Sequence, residues 1–208
     1  MNLYKIQKGD NKFSGLRKQP FFIVFFWLLF GVVLSWYSSS VTIAFVSFLV
    51  FVFLQISIKN SLINQTIRFY MSPQCSYNPM DNEQEINTIC GFSYGKTTWN
   101  SAYIGWVGSN DGILKIYAVC YINGKRVVKY MMSCKVQTWV FANVEDSGGK
   151  YMFKLMAHNK KSCIISIKRG SYFSFYTLFN IFIYKLYPKI YGNKKAPINM
   201  SIYIKNIE

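Results

Sequence analysis

No charged residue occurs between Lys18 and Lys59, and that interval restricts what the chain can fold into more than any other part of it. A bilayer core of about 30 Å is crossed by roughly 20 helical residues, so the interval is long enough for two crossings. Tyr37, Ser38, Ser39 and Ser40 form the polar interruption at which it would turn. Membrane helices are therefore expected over residues 20–37 and 41–58, with Trp36 and Tyr37 placed like an interfacial aromatic belt. A buried globular hairpin would show its apolar residues on one stripe, whereas here they occur all round both segments. Lys5, Lys8, Lys12, Arg17 and Lys18 precede the interval, and Lys59 and Arg68 follow it. Basic flanks on both sides put both termini in the cytosol. Residues 1–19 are read as a basic cytosolic segment of the mature chain. The apolar stretch after them is too long for a signal peptide and has no small-x-small cleavage site.

Residues 59–79 are expected to be a helix extension and hinge. Ile58, Leu62 and Ile67 keep helical spacing across 57–71, and Pro73 ends the run because a proline excludes the helical conformation before it. After Pro79 the apolar period becomes two. Strands are expected over 102–107, 113–122, 126–132, 136–143, 151–157 and 162–168, separated by turn signals such as Asn110-Asp111-Gly112 and Gly148-Gly149. The sharpest is Asn123-Gly124, since a two-residue type I′ turn needs positive φ at both positions. It predicts a hairpin pairing 113–122 with 125–133. The aromatic run 171–191 reads as further core strands or an interfacial segment, and 201–205 as an added edge strand. The fold class is thus a membrane α-helical hairpin plus an all-β C-terminal domain over residues 80–208. That domain is expected to be a β-sandwich, with a small β-barrel as the alternative.

The 208 residues carry 24 Lys and Arg against 8 Asp and Glu, a formal net charge of +16, and 19% of them are aromatic. Such a balance favours polyanion partners: anionic headgroups of the lipid bilayer, nucleic acid or an acidic protein. Lys115, Lys125, Arg126, Lys129 and Lys135 fall on neighbouring expected strands. Lys150, Lys154, Lys160, Lys161, Lys168 and Arg169 make a second group, and no acid lies between Asp146 and Glu208. The candidate polyanion or nucleocapsid contacts are Lys115, Lys125, Arg126, Lys129, Lys168 and Arg169. Interleaved Tyr and Trp would stack bases while the cations hold phosphates. The same cations at a headgroup surface would each contribute about 1 kcal/mol, and the plainest alternative is that they only solvate the outer face.

Catalysis is not indicated. His158 stands alone, no acid pair has acid–base spacing, and no phosphate loop or metal-ligand spacing occurs, so no cofactor or metal is expected. Cysteines 75, 90, 120, 134 and 163 occur singly and read as reduced cytosolic thiols. The glycosylation triplets at Asn64 and Asn199 are silent in a cytosolic domain.

The run from Arg68-Phe69 to Ser76-Tyr77-Asn78-Pro79-Met80-Asp81-Asn82 resembles the region after the final transmembrane helix of coronavirus membrane (M) proteins. There an Arg-rich amphipathic exit leads into a Ser-aromatic-Asn-Pro-x-x-Asn phrase. Weaker likeness at 110–114, 138–143 and 151–153 extends it over roughly residues 20–157. The resemblance implies a divergent nidovirus-like structural envelope protein that lacks the family's first transmembrane helix. It would form a homodimer or higher oligomer in Golgi-like internal host membranes and in the virion envelope. There it would organise virion assembly with nucleocapsid protein or RNA and with spike protein, catalysing nothing. Arg68, Ser76, Tyr77, Asn78, Pro79 and Asn82 would be its hinge. Gln74-Cys75 stands where the family has a doubled Trp.

Two alternatives stay open. One is a two-helix β-barrel antiphage effector of a bacterial inner membrane that binds a cyclic oligonucleotide. The other is a viral channel-like accessory protein, for which Ser35, Ser38, Thr42, Ser47 and Gln55 are too few to line a pore. With the cytosolic face of sealed vesicles outward, added protease is expected to remove residues 80–208; a shielded domain would overturn this topology.

Overall fold

Period-two burial organises the chain into two antiparallel sheets. The computed structural model describes residues 1–10, 63–77, 85–94, 98–109, 111–147, 149–157, 162–169, 183–190 and 198–207. These belong to one unit, Met1–Gly15 with Leu62–Glu208; the other unit, Leu16–Ser61, lies outside the described residues. The strands are β1 (Asn2–Ile6), β2 (Asn64–Met71), β3 (Asn87–Tyr94), β4 (Ser101–Ser109), β5 (Ile113–Ile122), β6 (Lys125–Lys135), β7 (Val140–Ser147), β8 (Lys150–Ala157), β9 (Ser162–Lys168), β10 (Ile183–Leu186) and β11 (Met200–Asn206). The first sheet runs β1-β11-β2-β7-β8-β9 and the second β10-β3-β4-β5-β6.

The faces that meet are apolar. Ile67, Phe69 and Met71 of β2, Val140, Ala142 and Val144 of β7, and Tyr151, Phe153 and Leu155 of β8 are buried on one side. Phe92, Ile104, Trp106, Leu114 and Ile116 are buried on the other. The rings of Phe92 and Tyr151 meet edge-on at 5.9 Å across the interior, as aromatic pairs prefer. Tyr4 on the β1 edge approaches Tyr187 beyond β10, with ring centroids 6.2 Å apart. β6 and β9, the edges on the other side, are also neighbours. β4 is buried on both faces, because Tyr103 and Val107 join Ile86 and Val119 in a second small cluster behind the second sheet.

One end of the sandwich is plugged by a 3-10 turn, Pro73–Ser76. Cys75 is fully buried there, and its carbonyl accepts a 3.3 Å hydrogen bond from Trp106 Nε1. A Cβ on Gly108 would sit 2.4 Å from the Tyr77 carbonyl oxygen and 2.7 Å from that of Cys75. Glycine therefore lets β4 run directly under the turn.

The all-β expectation for the domain holds, and the Asn123-Gly124 hairpin forms with the expected register. Ile122 faces Lys125, and φ is positive at both Asn123 (52°) and Gly124 (80°). Four expectations need correction. The helix expected to run on to Met71 gives way to β2 from Asn64, where Gln65, Ile67, Phe69 and Met71 are buried in alternation. Period two, supplied by the neighbouring strands, overrides a helical spacing that only Ile67 continued. Pro73 accordingly opens the 3-10 turn and does not end a helix. The domain does not begin at residue 80: β1 and β2 lie in its larger sheet. β11, expected at an edge, is paired on both sides, with β1 and with β2.

Of the run 171–191, residues 183–186 form β10, an edge strand on β3, and 171–182 lie outside the described residues. So do the expected membrane helices over 20–37 and 41–58. Among the described residues no helix is long and apolar enough to cross a membrane.

Gly108→Ala is expected to destabilise the sandwich by about 2 kcal/mol or more through overpacking against the turn. Gly149→Ala, with φ of 77° but open space around it, should cost about 1 kcal/mol from backbone strain alone. Urea unfolding followed by Trp fluorescence ranks the two.

Candidate polyanion-binding surface

On the exposed face of the larger sheet, strands distant in sequence place aromatic and cationic side chains side by side. Cross-strand partners point to the same face. Leu3 of β1 lies opposite Tyr203 of β11, which lies opposite Tyr70 of β2. The ring of Tyr70 stands 5.7 Å from that of Tyr203 and 5.5 Å from that of Trp139, the residue before β7. Trp139 is 38% exposed and Leu3 37%. Two residues along the strands, about 7 Å away, Lys205 lies opposite Arg68, and Arg68 opposite Phe141. Both cations are exposed. An aromatic row thus runs beside a cationic row.

Like charges directly opposite each other on antiparallel strands are destabilising, and among the described residues this face has two such pairs. Besides Lys205 and Arg68, Lys150 faces Lys168 across β8 and β9. Glu145 shares the face, but it lies opposite Asn64 and contacts Lys154 at 3.9 Å. An external anion would relieve the repulsion between these pairs.

The six residues expected from sequence to contact a polyanion are dispersed. Lys115, Lys125, Arg126 and Lys129 do sit on adjacent strands, β5 and β6, but alternation divides them. Lys115 and Arg126 fall on the same face as Tyr117, Tyr121 and Tyr130. Lys129 lies opposite Ala118, and Lys125 opposite Ile122, on the other face of edge strand β6. Lys168 ends β9 and is exposed. Arg169 is held by the structure itself: its Nη1 donates to the Asp146 carboxylate, which is 6% exposed. Its guanidinium also stands 5.9 Å from the centre of the Tyr94 ring. Tyr94 donates to the same carboxylate at 2.5 Å.

Of the expected hinge, Arg68 is a mid-strand residue of β2 on the exposed face, eight positions from Ser76. Ser76 donates to the Pro73 carbonyl at 2.7 Å, and the Tyr77 hydroxyl accepts from Asn87 Nδ2 at 3.1 Å. Both belong to the plug at the end of the sandwich. Asn78, Pro79 and Asn82 lie outside the described residues, as does His158.

Sequence reasoning missed Tyr70, Trp139, Tyr203, Lys205 and Lys5 as members of one surface. The signal was alternation within single strands: Ile202 and Ile204 are buried while Tyr203 is half-buried and Lys205 exposed, and Phe69 and Met71 are buried beside exposed Arg68. No family model matches the chain, and no curated protein matches it.

Burial pushes the thiols of Cys75 and Cys134 up to about 11 and those of Cys90 and Cys120 up to about 12. Burial, reinforced by the Asp146 charge, also raises Tyr94 and Tyr151. An unfolded chain releases thiol protons near pH 9 that the folded chain retains. Stability should therefore be level below about pH 8 and fall from pH 9 upward, by about 1.4 kcal/mol per pH unit for each such thiol. Denaturant melts across pH 7–10.5 check the slope. In the folded protein iodoacetamide should label half-buried Cys163 before the four buried thiols.

Proposed function

We propose that the chain is a membrane-anchored, non-catalytic organising protein whose β-sandwich gathers a polyanion on its exposed cationic and aromatic face. The observation that carries this reading is the position of β11 between β1 and β2. Because residues on both sides of the uncharged interval belong to one sheet, a stretch that crosses a bilayer there must cross it an even number of times. Two helices over 20–37 and 41–58 satisfy that parity, and the basic flanks then lie on one, cytosolic, side. The sandwich would then be held at the membrane surface, with Arg68 and Lys205 exposed on its larger sheet.

The ligand best suited to the face is single-stranded nucleic acid, bare or as a ribonucleoprotein. Bases stack on an aromatic row whatever their sequence, and phosphates need a parallel row of cations. Tyr203, Tyr70 and Trp139 supply the first, Lys205 and Arg68 the second, with Lys5 opposite Ser201 at the flank. An envelope protein that collects nucleocapsid and spike partners as a homo-oligomer, as the M-like junction implies, is the biological setting that this reading favours. A β1 strand inside the domain and an Arg68 inside a sheet are departures from what that junction implied. The effector alternative needs a barrel lumen for its cyclic oligonucleotide, and here large side chains, Phe69, Phe92, Trp106, Tyr151 and Phe153, occupy the interior.

For the full chain in membranes, Arg68→Ala with Lys205→Ala should flatten the salt dependence of single-stranded RNA binding by about 0.7 log units for each phosphate that is no longer neutralised. Trp139→Ala should cost about 1–3 kcal/mol of affinity. Reversing Lys115, Lys125, Arg126 and Lys129 together compares the other cationic strands. Binding that none of these variants weakens would end the proposal.

A further inference from the structure

We infer that the end of the sandwich where β2 begins is a docking surface for anionic lipid headgroups. The inference rests on the anchoring proposed above and adds a second contact with the bilayer.

Register and hydrogen bonds bring distant cations to this one end. In the smaller sheet Ser93, Ser101, Tyr121 and Arg126 lie in one row across β3, β4, β5 and β6. Next to that row Tyr94 reaches Asp146 in the other sheet at 2.5 Å. Asp146 lies opposite Tyr151, and Tyr151 opposite Ile167. One step further out are Lys150 and Lys168, facing each other, while β2 enters at Asn64 opposite Glu145. The Asn123-Gly124 turn, which carries Lys125 and Arg126, projects at the same end. It is stapled to the start of β4: Asn123 N donates to Asn100 Oδ1 at 3.1 Å and Gly124 N to the Trp99 carbonyl at 3.0 Å. Trp99 is thereby fixed beside the basic turn with 51% of its surface exposed. Lys125, Lys150 and Lys168 are exposed as well.

Tether lengths point the same end at the bilayer. Ile58, at the close of the uncharged interval, is six positions from Asn64, a reach of at most about 20 Å even if fully extended. The other tether runs from Asp10, beyond a turn held to the sandwich by the Lys8 N to Asn199 Oδ1 hydrogen bond, to Pro20; it reaches up to about 34 Å and constrains less. β1 and β2 run parallel on either side of β11, so Ile6 leaves the sheet at the opposite end. The shorter tether limits how far the β2 end can stand from a crossing that closes at Ile58. Cations within a Debye length of an anionic surface each contribute about 1 kcal/mol, and an exposed Trp suits the headgroup level. Among the described residues this end shows no aromatic row in register, unlike the sheet face assigned to nucleic acid.

The test uses the full chain in nanodiscs of phosphatidylcholine, with or without phosphatidylserine, and brominated lipids that quench nearby Trp fluorescence. The share of quenching that disappears in Trp99→Phe isolates Trp99 from the other tryptophans. That share is expected to rise at least twofold with phosphatidylserine and to fall back when salt is raised, with no substitution needed. It should also fall back in the Lys125→Glu, Arg126→Glu, Lys150→Glu, Lys168→Glu variant. Equal quenching in both lipids, or quenching indifferent to salt, would overturn the inference. So would a variant that loses RNA binding while its quenching stays unchanged, which would assign this end to nucleic acid. A chain released from membranes by alkaline carbonate would sink the anchoring itself, whereas an inserted chain without serine-lipid-dependent quenching sinks only the docking.

Discussion

Main-chain hydrogen bonding of β11 to β1 on one side and to β2 on the other is the constraint on which the rest of this structure depends. A strand alone is marginal in water, because its backbone groups lose hydration without gaining partners. Here residues 200–206, near one terminus, complete a ladder between residues 2–6 and 64–71. That ladder makes Leu16–Ser61 an insertion whose two flanks belong to a single folded unit. It also sets the parity of any membrane crossing, through backbone pairing and without reference to charge.

The two sheets are joined differently at their two ends. At one, a 3-10 turn seats Cys75 against Trp106 and lies over Gly108, so close approach of backbone does the joining. At the other, Tyr94 and Arg169 converge on the buried carboxylate of Asp146 across the sheets. Breaking such a pair from one side leaves an uncompensated charge and is far more harmful than its net contribution suggests. Between the two ends the interior is filled by large aromatic and aliphatic side chains, and chemistry is left to the outer surfaces.

On those surfaces the basic residues are not evenly solvated. Lys205 faces Arg68 and Lys150 faces Lys168, arrangements that a sheet selected for stability alone would avoid. Aromatic rings accompany the first pair and an exposed Trp lies at the same end as the second. One excess of positive charge thus divides between a face lined by aromatic rings and the end of the sandwich where β2 begins, two environments of different shape.

Much of the β-domain was legible in the chain. The Asn123-Gly124 hairpin, and β5 and β9 end to end, follow from local turn chemistry and from alternation that one strand displays by itself. β3 was not legible, because it is buried on both faces, and its Gly91 and a bulge between Thr88 and Cys90 erase the period. β2 was misread because Leu62 and Ile67 fit a helical stripe that only the flanking strands could overrule. Arg68 could be picked out as a cation but not placed, since its neighbours Lys205 and Phe141 arrive from strands more than seventy residues away in sequence. The sequence alone determined charge sign, turn positions and the uncharged interval, all of which depend on residues close along the chain. Tertiary structure alone decided that residues 2–6 and 200–206 pair within one sheet and which cations share a surface, because strand order is set by long-range backbone pairing that no local pattern encodes.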